Sequence, residues 1–305
     1  MNRILVIGDL ITDRYRFLNP LRSDPANDSA LVVERIRQES VKGGAGFLVR
    51  NLESLCSTKV NFFHAPHFRS LPMKTRYYVE DKFILREDKG DNIKHEERII
   101  DGFINYISPE DFVIISDYHK GTLNHEDIFR IIKKCREVGD VTIFVDTNYV
   151  YPAHENVDWL KINLKTAKEY INKPDNDIAK IISEKNNSNV IITKGEDGHI
   201  AYLKDLEQSI FFTKDKNKNF VDAIGAGDTF LAGFVSYLAR HNTGELPALV
   251  YADIVSHLST SQLGTIDVVS AEVADEEYKN AKTHIEEKED ALHVYRNINN
   301  VPRRV

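Results

Sequence analysis

Two cysteines and a single tryptophan are all that 305 residues carry of those types. Each scarcity removes a class of protein. Cys56 and Cys135 lie far apart without CxxC spacing, so they cannot form a zinc site alone and read as reduced packing residues. The eleven histidines are scattered without an HExxH pattern, and a metal, if used, is expected to arrive with a nucleotide. No run of about 18 apolar residues is available to span a membrane. Residues 1–9 enter a short apolar strand and then meet an acid, unlike a signal peptide, so a cytoplasmic chain is expected. A formal charge of −7 lacks the basic surplus that nucleic-acid binding needs. No glycine is followed by lysine anywhere, which excludes the GxxxxGK[ST] phosphate loop. The opening strand runs into Gly8-Asp9 rather than GxGxxG, so the dinucleotide fingerprint is absent as well.

What is present has the rhythm of an α/β protein. Short apolar strands are expected at 3–7, 112–116, 141–145, 159–162 and 190–193. Helices are expected from about 46 to 55, at 126–138, 167–171 and 177–184, from 227 to 240, and from 246 to 260. Strands alternating with helices of this length imply a doubly wound, mostly parallel sheet with helices on both faces. The extended segments at about 14–37 and 74–88 do not alternate with helices and read as a small β lid attached to a core domain spanning 1–272. Residues 273–305 are charged and helix-prone to about Ala291, which predicts a solvated terminal helix and tail.

The chemistry concentrates in Asp222-Ala-Ile-Gly-Ala-Gly-Asp-Thr-Phe230, directly before an apolar-periodic helix. Gly225, Ala226 and Gly227 place small residues at a helix mouth, where unpaired amides and the dipole favour an anion. Asp228 beside them can take a proton from a hydroxyl while the amides stabilise charge on a transferring phosphoryl group. The same residues also describe a capped helix start with loop glycines. Thr193, Gly195 and Gly198 follow a strand, where ligands bind in open parallel sheets, although TxGxxG also fits an ordinary turn. Asp9, Asp13 and Arg14 sit beyond the first strand, Gly43 and Gly44 precede a helix that carries Asn51, and Asp117 and Lys120 follow another strand. Carboxylates and amides so placed suit sugar hydroxyls, and Lys74, Arg76, Arg86 and Lys120 could hold a second anionic group. Each of them taken singly could equally be a surface charge.

Together these segments resemble the PfkB, or ribokinase-like, family of carbohydrate kinases, over residues 3 to 272. Asp222–Phe230 matches the family signature DxxGAGD. Gly8-Asp-Leu-Ile-Thr-Asp-Arg-Tyr15 and Ser116-Asp-Tyr-His-Lys-Gly121 are similar to its heptose-7-phosphate kinase branch in particular. The resemblance implies a ribokinase-like fold and transfer of the ATP γ-phosphoryl to a sugar hydroxyl, with Asp228 as general base and Gly225–Gly227 as the anion hole. It implies that Asp9, Asp13, Gly43, Gly44, Asn51 and Asp117 line the sugar. Lys74, Arg76, Arg86 and Lys120 would bind an existing sugar phosphate, and Asn163 and Thr193 would face ATP and its Mg²⁺. It also implies a homodimer formed through the lid.

The departures bear on specificity. Gly43-Gly44-Ala45-Gly46-Phe47 stands where the family reads GGAAN, so an amide that would bond a hydroxyl is missing. Thr166 replaces the carboxylate of NxxE, and Asp146-Thr147-Asn148 replaces Asp-Pro-Lys. Between Leu55 and Pro72 a usual strand–helix segment is expected to be missing, and no nucleotidyltransferase half is expected in the chain. A kinase for another sugar, or a non-catalytic sugar-phosphate or nucleotide binder, are the alternatives left open.

Overall fold

A stretch such as Ile4-Leu-Val-Ile-Gly8, apolar without alternation, suits a strand covered on both faces. The computed structural model, which describes residues 3–56, 59–65, 71–90, 95–150, 154–213, 220–241, 243–288 and 291–297, places it there. β1 (Ile4–Gly8) is wholly buried. It pairs in parallel with β4 (Val60–Phe63) on one side and β7 (Phe112–Asp117) on the other. β8 (Thr142–Thr147), β9 (Trp159–Asn163) and β10 (Asn189–Thr193) continue the parallel run. The antiparallel β11 (His199–Leu203) and β12 (Gln208–Thr213) follow.

Alternate side chains of this sheet feed two separate cores. Ile4 and Val6 pack with the helices α1 (Ala45–Leu55), α6 (Ala226–Arg240), α7 (Glu245–Ser259) and α8 (Ala271–Asn280). Leu5 and Ile7 pack with α2 (Glu97–Tyr106), α3 (His125–Val138), α4 (Leu164–Tyr170) and α5 (Asp175–Asn186) on the other face. The result is the doubly wound α/β arrangement expected from the alternation of elements.

A second sheet of four strands forms from β2 (Leu10–Asp24), β3 (Asn27–Gly44), β5 (Met73–Val79) and β6 (Lys82–Lys89), in the order β3-β2-β5-β6. Glu80 and Asp81, both with φ in the left-handed region (48° and 61°), make the tight turn between its last two strands. Its anchor is buried and polar. Asp13 of β2 accepts from Arg76 Nη1 of β5 at 2.8 Å and from Thr265 Oγ1 at 2.9 Å. Tyr15, fully buried, accepts from the Thr265 amide at 2.7 Å. These bonds fasten the small sheet to the segment after α7.

The C-terminal region departs from the expected helix and tail. α8 ends at Asn280, and β13 (Lys282–Lys288) and β14 (Ala291–Asn297) extend the large sheet. β14 runs parallel to β12 and antiparallel to β13. Glu and Lys lend this stretch helical propensity, but burial of Ala291 and Val294 at the open edge of β12 outweighs it. The segment after Leu55 also needs correcting, because β4 supplies a strand there; residues 66–70 lie outside those described.

Candidate active site

The strands β7, β8 and β9 end beside the start of α6, and a cleft of about 160 Å³ opens between them. Asp117, Tyr118, Asp146, Thr147, Asn148 and Lys161 line its sheet side, with Asn163 and Thr193 beyond them. Gly225, Gly227 and Asp228 close it from the helix. Gly225 adopts φ 78°, and a Cβ there would lie 2.4 Å from the Phe47 ring, so both backbone and space demand glycine. The Ala226 amide is spent on the Ala223 carbonyl at 3.2 Å. The expected anion hole therefore loses one donor. Among the described residues, the Gly227 and Asp228 amides have no backbone carbonyl partner and remain available at the helix mouth.

Asp228 occupies the third position of α6, facing the strand ends. One of its oxygens, Oδ1, accepts a hydrogen bond from the Tyr118 hydroxyl. Burial, reinforced by the nearby Asp146 carboxylate, pushes the Asp228 carboxyl up to about 7, while Lys161, the Tyr118 bond and Lys74 pull against that rise. A carboxyl poised near neutrality suits proton abstraction at physiological pH. Burial also raises Asp117 to about 6 and lowers Lys74 below its ordinary value.

Lys161 carries a role that the sequence pattern had left unread. It faces Asp146 across the β8–β9 register and donates to Asp146 Oδ1 at 2.7 Å. Its Nζ also lies 3.2 Å from where a Gly227 Cβ would stand, which puts a cation against the helix mouth. The signal was a lysine inside an otherwise apolar strand, Trp159-Leu-Lys-Ile-Asn163, where an unpaired charge would be costly. Tyr118 and Asp146 stand in the sequence only as members of the Ser116–Gly121 and Asp146–Asn148 segments.

The expected sugar ligands divide into two groups. Asp117 lines the cleft, and Lys74 Nζ lies 5.5 Å from the centre of the Tyr118 ring. Asp9 is already engaged, accepting from the amides of Tyr118 (2.9 Å), Lys120 (3.0 Å) and Thr122 (3.0 Å). Its structural task is to shape the loop after β7. Asp13 and Arg76 are committed to each other, and Gly43 is buried against Asp13 Oδ2, where a Cβ would approach to 2.1 Å. Gly44 forms the start of α1. Asn51 is fully buried, donates to the Phe47 carbonyl at 3.0 Å, and leaves Oδ1 without a partner. Arg14 bonds Ser40 at 3.4 Å, and Arg86 pairs with Asp88 at 2.8 Å on an exposed strand. Lys120 is half-buried in the loop that Asp9 holds.

Of the residues expected to face a nucleotide, Asn163 caps α4 through the Thr166 amide at 2.8 Å and donates to Asn148 Oδ1 at 3.1 Å. Thr166 itself donates to the Asn148 carbonyl at 3.0 Å, so it buttresses the cleft wall. Gly195 and Gly198 belong to the short turn between β10 and β11 and have positive φ, 61° and 88°.

Residues 85–272 match the pfkB family of carbohydrate kinases. The chain belongs to that family. It is 25% identical to the bifunctional protein HldE of Nitratiruptor sp. over 93% of the chain and 67% of that protein. It is 27% identical to HldE of Sulfurimonas denitrificans over 91% and 64% respectively. The chain thus spans about two thirds of the length of these curated relatives. Phosphofructokinase-2 from Escherichia coli, solved in complex with substrates and products, superposes with a TM-score of 0.71 at 14% identity, covering 92% of this chain and 99% of that one. A ribokinase from Arabidopsis thaliana complexed with ribose and ATP gives 0.68 at 12% identity with the same coverage. The fold is therefore ribokinase-like, and the chain is a sugar kinase, a phosphotransferase with an alcohol acceptor. No helix among the described residues is long and apolar enough to cross a membrane.

Proposed function

We propose that this kinase transfers the γ-phosphoryl group of ATP to the anomeric hydroxyl of D-glycero-D-manno-heptose 7-phosphate, giving the 1,7-bisphosphate for nucleotide-activated heptose and surface glycans such as lipopolysaccharide. The observation that carries the phosphoryl-transfer reading is Asp228, a carboxyl raised to about 7 beside two unspent amides of a helix mouth. The heptose assignment rests on Gly8–Tyr15 and Ser116–Gly121, which resemble the heptose kinase branch, and on the HldE relatives. In this mechanism Asp228 accepts the acceptor's proton. The Gly227 and Asp228 amides, with Lys161 beside them, face the charge that builds on the transferring group. Lys74, over the Tyr118 ring, and Lys120, in the loop after β7, are the basic residues we assign to the substrate's own phosphate.

No group of three or more histidine, cysteine or carboxylate side chains that could hold a metal occurs among the described residues. In the proposed reaction Mg²⁺ enters with ATP and draws its oxygens from phosphates and water, with Asn163 and Thr193, which line the cleft, facing the complex. Bound there, the ion would neutralise phosphate charge.

Phe47 favours a second reading, a kinase for another sugar or sugar phosphate. Its ring is buried against Gly225 and offers no hydrogen bond to a hydroxyl. ADP release measured across a panel of sugars decides between the two. Heptose 7-phosphate is expected to give the highest kcat/KM, and turnover of unphosphorylated sugars alone would contradict the assignment.

The small sheet exposes Leu31, Ile36, Phe83, Ile84 and Leu85, more apolar surface than a lone lid should show water. A second copy of the chain is the proposed cover, in a cytoplasmic homodimer. Light scattering should give twice the monomer mass, falling to the monomer in Phe83→Asp; wild-type monomer at every concentration would oppose the dimer.

A further inference from the structure

Tyr118 belongs to none of the groups named so far for acceptor, phosphate or nucleotide, yet its hydroxyl is bonded to the proposed base. Three features fix it there. Its amide is held by Asp9 Oδ2 at 2.9 Å. His119, the next residue, is locked in the left-handed region (φ 58°), with its amide on Asp117 at 2.8 Å. Lys74, from β5 of the small sheet, lies over its ring. A loop shaped by a buried carboxylate thus delivers one phenol to one carboxylate. The phenol keeps its proton and so can donate it to the carboxylate, because burial and the surrounding carboxylates hold its own ionisation far above the ordinary tyrosine value.

Resting on Asp228 as the base, we propose that Tyr118 is its positioning residue: the phenol holds one carboxylate oxygen and leaves the other to the acceptor alcohol. A free carboxylate rotates about its last bond, and misplacing a proton acceptor by even a fraction of an ångström is costly in rate. A donor on Oδ1 fixes that rotation. It also favours the ionised form, as do Lys161 from β9 and Lys74 from β5, whereas Asp146 from β8 opposes it. Tyr118 in turn faces Asp228, Asp146 and Asp13.

Tyr118→Phe tests this, because phenylalanine keeps the ring and the backbone bond to Asp9 while removing the single donor. Carbon-13 NMR titration of labelled aspartate carboxyls, with the Asp228 signal identified by its absence in Asp228→Asn, needs no substrate. The Asp228 midpoint is expected to rise by about one pH unit. The acid limb of kcat/KM should move with it, giving a loss of roughly 20-fold at pH ~6 that narrows to about threefold at pH ~8.5, where the remaining loss comes from misplacement of the base. An unmoved Asp228 midpoint, or a loss equal at every pH, overturns the positioning role. Near-wild-type turnover by Asp228→Asn would instead overturn the base assignment itself, whatever the titration shows.

Discussion

Asp228→Asn is expected to lower kcat by about 10²–10⁴-fold while nucleotide binding persists. Asparagine matches the carboxylate in size and can still accept from Tyr118, so α6 and the Gly227 amide keep their places. What it cannot do is take a proton. The wild-type rate should rise with pH along an acid limb centred near 7, since the carboxyl must be ionised to act and burial has raised it to about that value. The stability consequence has the opposite sense. The folded-state value lies above the unfolded one, so the neutral form is favoured by folding, and stability is lost as pH rises from about 4 through 7. Asp228→Asn removes that loss and should melt higher than wild type at pH ~8, with the gap closing toward pH ~4. Calorimetric melting and stopped-time ADP assays on the same preparations check both halves. A variant with near-wild-type kcat would end Asp228's role as the base.

The second large effect is on stability. Asp13→Ala leaves the buried Arg76 guanidinium without its carboxylate and removes one of the two partners of the Thr265 hydroxyl, the other being the Tyr15 hydroxyl at 3.0 Å. Removing one partner of a buried pair costs roughly 3–5 kcal/mol. For a chain of 305 residues that should lower Tm by about 5–8 °C. Replacing both Asp13 and Arg76 by leucine should cost less than Asp13→Ala alone, because no charge is then left buried. Denaturant midpoints for the two variants provide the comparison. A loss below ~1 kcal/mol for Asp13→Ala would show that the small sheet is anchored elsewhere.

The parts of this molecule that could be read in advance are those where one local signal dominates. Unalternated runs such as Ile4–Gly8 and Phe112–Asp117 marked buried strands, and the glycines before the Phe230–Val235 stripe marked α6. β11 and β12 escaped notice because His199 and Gln208 sit in short segments whose burial depends on neighbours distant in sequence. β13 and β14 were masked by Glu286, Glu287 and Lys288, whose helical preference yields to pairing along the sheet edge. Around the cleft, residue type marked Asp228 and its glycines as candidates, and they do line it. It could not reveal that Asp9 spends its oxygens on three loop amides, or that Asp13 is taken by Arg76. Nor could it show that Lys161 reaches the helix mouth, since that follows from its register against Asp146. Partnership across the fold decided these roles.

Phosphorus NMR of the wild-type protein with ATP, Mg²⁺ and heptose 7-phosphate tests the central claim most directly. The account predicts ADP together with a new phosphomonoester coupled to the anomeric proton, and neither signal with Asp228→Asn. Release of inorganic phosphate alone, or an ester at any other carbon of the sugar, would contradict it.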